Sequence, residues 1–259
     1  MSKTNYKDDI IGFYNQYLGV SSLDSSEAVA WTTKESQEKR FEILLEIGVD
    51  KNNDTLLDLG CGLGHLVDYM KNNDYDIKNY TGIDINPHYI FFANKRNTDC
   101  RFIDGEIFDI NDKYDYIIGS GNFTIKMPLD EVLNSINKAY TLANKGIAFN
   151  FLTDEFNGIG ENDNFNCYNP ENFIKIINEI YPKTRLVLDY LGNEDFARTK
   201  IQSFAHAESN IPEIVDRIDV DEMIKRKVGI GWEAGEERFE SIRIDDSMPQ
   251  TVINNPERW

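Results

Sequence analysis

The chain has 259 residues, enough for one large domain or one domain with an appendage, and 41% of them are hydrophobic. A chain of this size and composition can bury a stable hydrophobic core without a disulfide or a structural metal ion. The formal net charge of -18 weighs against DNA or RNA as a partner, because proteins that bind nucleic acid need clustered Lys and Arg to neutralise phosphates.

The three cysteines, Cys61, Cys100 and Cys167, show no metal-binding spacing, and their odd number argues against a disulfide framework. No convincing cluster of His, Asp and Glu suggests a metal site either. The start of the chain lacks the regions of a signal peptide, and no apolar stretch is long enough to span a membrane. We therefore expect a cytoplasmic protein that binds no metal and no membrane.

Two helices are predicted before the first strand. Residues 5–18 have apolar positions close to helical spacing, which indicates an amphipathic helix. After a polar link, residues 34–48 (KESQEKRFEILLEIG) predict a second helix that ends at a glycine. Gln37 and Arg40 are three residues apart in it and share a face.

The next segment, residues 55–66 (TLLDLGCGLGHL), is an apolar run that ends in Asp58 and is followed by three alternating glycines. One predicted helix later, a second apolar run (YTGIDIN) ends in Asp84. A strand, a glycine turn, a helix and a strand that ends in a carboxylate form half of a nucleotide-binding sheet. Asp84 would accept hydrogen bonds from both ribose hydroxyls, so this pattern predicts a ligand that contains adenosine.

The spacing of the glycines narrows the choice of ligand. It reads G-x-G-x-G and not the G-x-G-x-x-G of dinucleotide folds, and Asp58 stands two residues before its first glycine. A carboxylate there would repel a pyrophosphate and suits an ammonium or a sulfonium. This pattern, with Asp84 at the end of the next strand, resembles the class I S-adenosylmethionine-dependent methyltransferases. The alternative is a glycine-rich turn in another α/β protein.

The resemblance covers roughly residues 30–202 and implies a three-layer, doubly wound α/β fold. Its sheet would have seven strands, mostly parallel, with an antiparallel last strand. The runs CRFIDGEI, YDYIIGSG, GIAFNFLT, TRLVLDYL and FARTKIQ resemble the family's third to seventh strands. The implied organisation is a helical lid over residues 1–50, a cofactor-binding domain over residues 51–203, and a C-terminal extension or cap over residues 204–259.

The resemblance also implies which residues hold S-adenosylmethionine. Arg40 would pair with the cofactor's methionine carboxylate, the alternative being an ordinary exposed arginine, and Glu106 would meet the adenine amino group. The full predicted set is Gln37, Arg40, Asp58, Gly60, Cys61, Gly62, Gly64, Asp84, Ile85, Glu106, Ile107, Gly119 and Ser120.

The sequence indicates the catalytic residues less clearly than the cofactor residues. The sulfonium is already activated, so the reaction needs alignment with the acceptor more than it needs a base. A general base is required only for a hydroxyl or a protonated amine. His206, after the last strand, is the first candidate, and Asp154, just past the fifth strand, is the second. His65 in the loop's exit helix is expected to be positional, and His88 is expected near the ribose.

These observations predict methyl transfer to a small molecule, most readily to an oxygen, in the tailoring of cell-surface sugars or small phosphorylated groups. N-methylation of an amine or amino-acid derivative is an alternative, and a non-catalytic S-adenosylmethionine-binding partner subunit is another. The residues after the fourth strand read GSGNFTI and not the Asn-Pro-Pro-aromatic motif of amino-methylating nucleic-acid enzymes. A homodimer through residues 204–259 is a further prediction.

Overall fold

The computed structural model describes residues 6–153, 164–181, 184–187 and 190–191, together with the backbone of residues 201–205. The predicted extension over residues 204–259 lies almost wholly outside these ranges, as do the acidic loop residues that follow the fifth strand.

The helices follow the predicted order and nearly the predicted bounds. They are α1 (Tyr6–Asn15), α2 (Lys34–Leu45), α3 (His65–Asn72), α4 (Pro87–Arg96), α5 (Leu129–Leu142) and α6 (Pro170–Ile180). Short 3-10 turns lie at Ser26–Val29 and Ile107–Asp109.

The described strands are β1 (Leu56–Leu59), β2 (Tyr80–Asp84), β3 (Arg101–Asp104), β4 (Tyr114–Gly119), β5 (Ala143–Thr153), β6 (Cys167–Tyr168), β7 (Thr184–Val187) and β8 (Ile201–Ala205). They form one sheet in the order β3-β2-β1-β4-β5-β8-β7, and the two-residue β6 pairs with the end of β5. All pairs are parallel except those of β8, which runs antiparallel to both β5 and β7.

This sheet confirms the predicted fold class. β8 covers residues 201–205 and overlaps the end of the predicted last strand, residues 196–202, whose earlier residues lie outside those described. The chain order reverses between β1 and β4, which are neighbours in the sheet. In open α/β sheets such a reversal opens a crevice at the carboxyl ends of the strands, where ligands bind.

Local signals fix where the helices begin. The Thr33 hydroxyl accepts a hydrogen bond from the Ser36 N–H at the start of α2, and the Asn86 side chain caps α4 ahead of Pro87. Gly64 precedes α3 with a φ of 77°, a left-handed conformation that favours glycine. These caps place the starts of three helices around the strand ends.

The hydrophobic core holds the sheet rigidly behind those ends. One cluster joins α2 and α3 to the strands through Leu44, Leu66, Leu56, Tyr116 and Ile118. All four residues of β1 are buried, as expected for a central strand of a parallel sheet covered on both faces. The loops that follow β1, β2 and β4 therefore start from fixed points.

Candidate cofactor and acceptor cavity

A cavity of about 1160 Å³, its open mouth included, lies where the loops after β1, β2 and β4 meet. Helix α1 and the segment that leads into α2 contribute further walls. The predicted cofactor residues that line it are Gln37, Asp58, Gly60, Cys61, Gly62, Asp84, Ile85, Glu106, Ile107 and Ser120. Residues that are far apart in sequence thus surround one space, as the resemblance implied.

The glycine loop folds tightly against the end of β2. The backbone N–H groups of Gly60 and Cys61 both donate to the Ile83 carbonyl oxygen, at 2.8 and 3.1 Å. Gly60 and Gly62 have φ values of 75° and 53°, which L side chains rarely adopt. Glycine is therefore the residue that makes this turn without backbone strain at both positions.

Asp84 ends β2 with its carboxylate held from two sides. The Gly62 N–H donates to one carboxylate oxygen at 2.9 Å, and the Asn86 N–H donates to the other at 2.8 Å. Burial raises the pKa of Asp84 to about 6, and these two hydrogen bonds act in the opposite direction. Each oxygen retains a further lone pair for a ligand hydroxyl.

Asp58 is the third residue of the buried strand β1 and has a different kind of support. The Tyr80 hydroxyl donates to one of its carboxylate oxygens at 2.7 Å, and both residues are almost fully buried. Burial raises the pKa of Asp58 to about 7, the Tyr80 hydrogen bond lowers it, and the charge of Asp84 raises it. The cavity therefore has two carboxyl groups, Asp58 buried and Asp84 half-buried, whose pKa values are raised towards neutrality.

Gln37 and His65 form a buried pair between α2 and α3. The Nε2 atom of His65 lies 2.8 Å from the Leu23 carbonyl oxygen, which can only accept, so the ring proton is on that nitrogen. The other ring nitrogen then accepts from the Gln37 amide at 3.2 Å. Burial lowers the pKa of His65, which keeps it neutral and is consistent with its predicted positional role.

Arg40 is fully buried, so the exposed alternative is wrong. Its guanidinium stacks on the Trp31 ring at 4.2 Å and donates to the Ser36 carbonyl oxygen at 2.9 Å. Trp31 lines the cavity, whereas Arg40 is not among the residues that line it. The pairing of Arg40 with the methionine carboxylate stays a prediction.

Two other predicted cofactor residues, Gly64 and Gly119, also lie outside the lining. A Cβ on Gly64 would come 3.0 Å from the Phe102 ring, and one on Gly119 would come 2.5 Å from the Asn122 side-chain oxygen. Close packing within the protein accounts for glycine at both positions.

The loop after β4 forms the wall opposite Asp84. Buried Asn150 of β5 holds it, because its side-chain oxygen accepts from the Gly121 N–H at 2.7 Å and its amide lies 3.3 Å from the Ser120 hydroxyl. The Asn122 side chain packs over Gly60, and its oxygen is buried without a hydrogen-bond partner within the described ranges. A buried acceptor without a partner costs free energy, which a ligand N–H or O–H would recover.

Helix α1 closes the remaining side. Its Lys7 forms an ion pair with Glu106 at 2.6 Å, across the part of the cavity predicted to hold adenine. The Tyr89 hydroxyl of α4 donates to the Ala28 carbonyl oxygen at 2.8 Å. It also lies 3.2 Å from the backbone carbonyl oxygen of Tyr14. These contacts tie the N-terminal helical segments to the sheet, and a lid over residues 1–50 stays a prediction.

The remaining predicted residues have different outcomes. Asp154 and His206, the two candidate bases, lie outside the described residues. His88 is exposed and does not line the cavity. Cys61 does line it, but burial raises the pKa of its thiol well above the usual value, which agrees with a small packing residue and not with a nucleophile.

Within the part of the chain that the structure describes, no group of three or more His, Cys, Asp or Glu residues could hold a metal ion. None of the helices in that part is long and apolar enough to cross a membrane.

Comparisons with known proteins agree with this geometry. Residues 50–164 match the family model described as a methyltransferase domain. Rv1506c of Mycobacterium tuberculosis, assigned as a methyltransferase, is 27% identical in an alignment of 153 positions that covers 54% of this chain and 87% of that protein.

Two solved structures share the fold. Magnesium protoporphyrin IX methyltransferase from Synechocystis PCC 6803, with bound S-adenosylmethionine, has a TM-score of 0.58 at 14% identity, over 80% of this chain and all (100%) of the other. Phosphoethanolamine N-methyltransferase 1 from Haemonchus contortus has a TM-score of 0.64 at 13% identity, over 87% of this chain and 53% of the other.

The residues present fit S-adenosylmethionine. The cofactor carries an ammonium, two ribose hydroxyls and an adenine amino group, all of them donors. The cavity offers the acceptors that these need: the carboxylates of Asp58, Asp84 and Glu106. The fold, the cavity and the methyltransferase-domain match over residues 50–164 together support an S-adenosylmethionine-dependent methyltransferase. When bound, the cofactor supplies the methyl group on its sulfonium.

Three further residues of the site carry a weak sequence signal or none. Tyr80 reads as one more apolar residue of a buried strand, and Asn150 reads as a polar interruption of β5. Asn122 follows β4 at the predicted place, but only its position near Gly60 shows that its oxygen is buried without a partner. A polar residue in a buried strand was the available signal for Asn150.

Proposed function

We propose that this enzyme transfers the methyl group to an oxygen of a small molecule. One observation carries the proposal: the cavity wall opposite the donor-binding carboxylates is neutral in the described residues. That wall consists of Trp31, Ser120, Asn122, Phe123 and Met127. A neutral wall with one free hydrogen-bond acceptor suits a hydroxyl.

Charge separates this proposal from N-methylation. A protonated amine would need a carboxylate or aromatic faces beside it. Asp58 and Asp84 are assigned to the donor, and Glu106 is already paired with Lys7. The aromatic faces of Trp31 and Phe123 are the specific observation that keeps N-methylation as the second candidate.

The size of the acceptor follows from the walls. Helix α1 and Trp31 cover the strand ends, and the cavity must hold the donor as well as the acceptor. The net charge of -18 disfavours a nucleic acid. Small polyhydroxy compounds are therefore the first class to test, including sugars of the cell surface and small phosphorylated groups.

A hydroxyl acceptor requires a group that removes its proton. We retain His206 and Asp154 as the candidate bases. A homodimer through residues 204–259 and a cytoplasmic location also stay predictions of the sequence.

The test is a screen with donor labelled with carbon-13 on its methyl group. Purified enzyme is incubated with pools of sugars, sugar phosphates, phenols and amines, and the product methyl is identified by its carbon chemical shift. A methyl on oxygen supports the proposal, and a methyl on nitrogen assigns the second candidate. Tight binding of S-adenosylhomocysteine without turnover of any pool or of a whole metabolite extract would favour a non-catalytic partner subunit.

A further inference from the structure

The hydroxyl of Tyr80 is the feature of the donor site that the resemblance does not explain. Tyr80 is 2% exposed and lies on β2 opposite Leu56 of β1, two residues before the position of Asp58. Its ring packs edge-on against Phe102, with the ring centroids 5.9 Å apart. A phenylalanine would fill this space equally well, and burying a hydroxyl costs free energy unless it finds a partner.

That partner is the Asp58 carboxylate, at 2.7 Å. A hydrogen bond to an ionised carboxylate is short and about twice as strong as one between neutral groups. It fixes the direction of the carboxylate and favours its charged form over the protonated one. Asp58 lines the cavity, so the state of its carboxyl group bears on whatever binds there.

The groups around Asp58 leave this role to Tyr80. The other ionisable groups in electrostatic contact with it are Asp84 on β2 and the Cys61 thiol of the glycine loop, and both disfavour its charge. On its other side β4 places Ile118 in register with it. From α2, the neutral Gln37 reaches the cavity, whereas the Arg40 guanidinium stacks on Trp31.

We propose that Tyr80 is a positioning residue of the donor site: through its hydrogen bond it orients the Asp58 carboxylate in the cavity and favours its charged form, which the donor's ammonium requires. The inference rests on the cofactor and not on the acceptor. It can therefore fail while oxygen methylation stands, or stand while oxygen methylation fails.

The direction of the pH effect follows from the charges. The ammonium of the donor binds better to an ionised Asp58, so affinity should rise with pH until Asp58 has lost its proton. Burial raises the pKa of Asp58 to about 7, which places the rise in an accessible range. Without the tyrosine hydroxyl this pKa rises further, and the gain in affinity shifts to higher pH.

The first experiment is calorimetric titration of wild type and Tyr80→Phe with S-adenosylhomocysteine, from about pH 6 to about pH 8.5. We expect the variant to bind about five- to tenfold more weakly at the acid end, the size of one charge-assisted hydrogen bond, and to approach wild type at the alkaline end. The ligand's own ionisation affects both proteins equally, so it cancels in the ratio of their affinities at each pH. A deficit of equal size at every pH, or no deficit, overturns the inference.

Two variants control this result. Tyr116→Phe removes the hydroxyl of a buried tyrosine of β4 that does not line the cavity, and its pH profile should match wild type. In an Asp58→Asn background, Tyr80→Phe should cause no further change in the pH profile, because residues that act through one another are not additive. A full additional effect in that background also overturns the inference.

Thermal unfolding of the protein without ligand gives a readout that needs no bound cofactor. Since the folded pKa of Asp58 lies above its unfolded value, its contribution to stability is complete in acid and is lost as pH rises through the folded pKa. Tyr80→Phe should therefore lower Tm increasingly as pH rises, because it leaves the buried charge without its donor. A Tm difference of the same size at every pH would indicate a packing effect alone and would overturn the inference.

If Tyr80→Phe does not fold, Asp58→Asn decides the question. A flat pH profile of binding in that variant supports the inference, and a profile like that of wild type overturns it. Failure of wild type to bind S-adenosylhomocysteine at any pH would instead remove the donor assignment, and the unfolding comparison would still stand.

Discussion

The two walls of the cavity are built in different ways. The donor wall consists of strand ends and one glycine loop. Backbone N–H groups of Gly62 and Asn86 hold its Asp84. The only side-chain donor described for its Asp58 is Tyr80.

The acceptor wall consists of side chains from α1, the segment before α2 and the loop after β4. The Asn150 amide holds the start of that loop, and main-chain hydrogen bonds to Asn164 and Asn166 hold its later residues. The donor wall is therefore fixed by local sequence and the acceptor wall by distant contacts.

The largest effect should come from the donor wall. Asp84→Ala removes the proposed ribose acceptor and leaves the N–H groups of Gly62 and Asn86 without their partner. We expect S-adenosylhomocysteine to bind at least about 100-fold more weakly, the size of two hydrogen bonds to a charged group. Calorimetry measures this, and circular dichroism checks the fold.

Asp104→Asn is the matched control for that change. Asp104 ends β3 directly opposite Asp84 in the sheet register, but it does not line the cavity. Its replacement should leave the affinity within about twofold, a difference below half a kcal/mol. Equal losses in the two variants would mean that strand-end charge, and not a ribose contact, is what matters.

The difference between the walls also explains what the sequence could predict. Strand order, helix bounds and the glycine loop follow from short patterns, because apolar runs, caps and alternating glycines act over a few residues. Asp58 and Asp84 were predictable for the same reason. The hydrogen bond of Tyr80 to Asp58 and the burial of Arg40 against Trp31 depend on which elements become neighbours, and no short pattern records this.

The same reasoning explains the three predicted cofactor residues that do not line the cavity. Gly64 and Gly119 match the motif, but in this chain their missing side chains make room for Phe102 and for Asn122. Arg40 shares a helix face with Gln37, yet only Gln37 reaches the cavity. A spacing argument places residues on a face and does not say what fills the space in front of them.

A second prediction tests the seam where the two walls meet, at Gly60 and Asn122. A Cβ on Gly60 would lie 2.6 Å from the Cβ of Asn122, and its φ is 75°. We expect Gly60→Ala to cost about 2–4 kcal/mol of unfolding free energy, from left-handed strain plus overpacking. Donor affinity should fall with it. Chemical denaturation and calorimetry measure the two losses.

Gly19→Ala separates strain from crowding. Gly19 has a similar φ of 87°, but a Cβ there would meet nothing within 4 Å. It should cost about 1–2 kcal/mol, the left-handed penalty alone, and leave donor binding unchanged. If both alanine variants lose the same stability, contact with Asn122 contributes nothing and the seam is not tightly packed.

A third prediction concerns the acceptor wall alone. Asn122→Ala removes the buried oxygen that is proposed to meet the acceptor hydroxyl. Once an acceptor is known, kcat/KM should fall about ten- to 100-fold, while the affinity for S-adenosylhomocysteine stays within about threefold. Asn134→Ala, on the exposed face of α5, is the control and should change neither quantity. A loss of donor affinity as large as the loss of turnover would assign Asn122 to the donor wall.

The smallest effect should come from the ion pair that joins the two walls. Lys7 and Glu106 are each about one-third exposed (36% and 33%), so water screens their attraction, and such pairs contribute at most about 1 kcal/mol. Lys7→Met should therefore lower donor affinity less than about fivefold, chiefly through faster dissociation as α1 opens. Stopped-flow displacement measures that rate. Lys34→Met, which breaks an exposed pair with Glu38 away from the donor site, should leave it unchanged. If Lys7→Met leaves the dissociation rate as it is, α1 covers the donor through its apolar contacts alone.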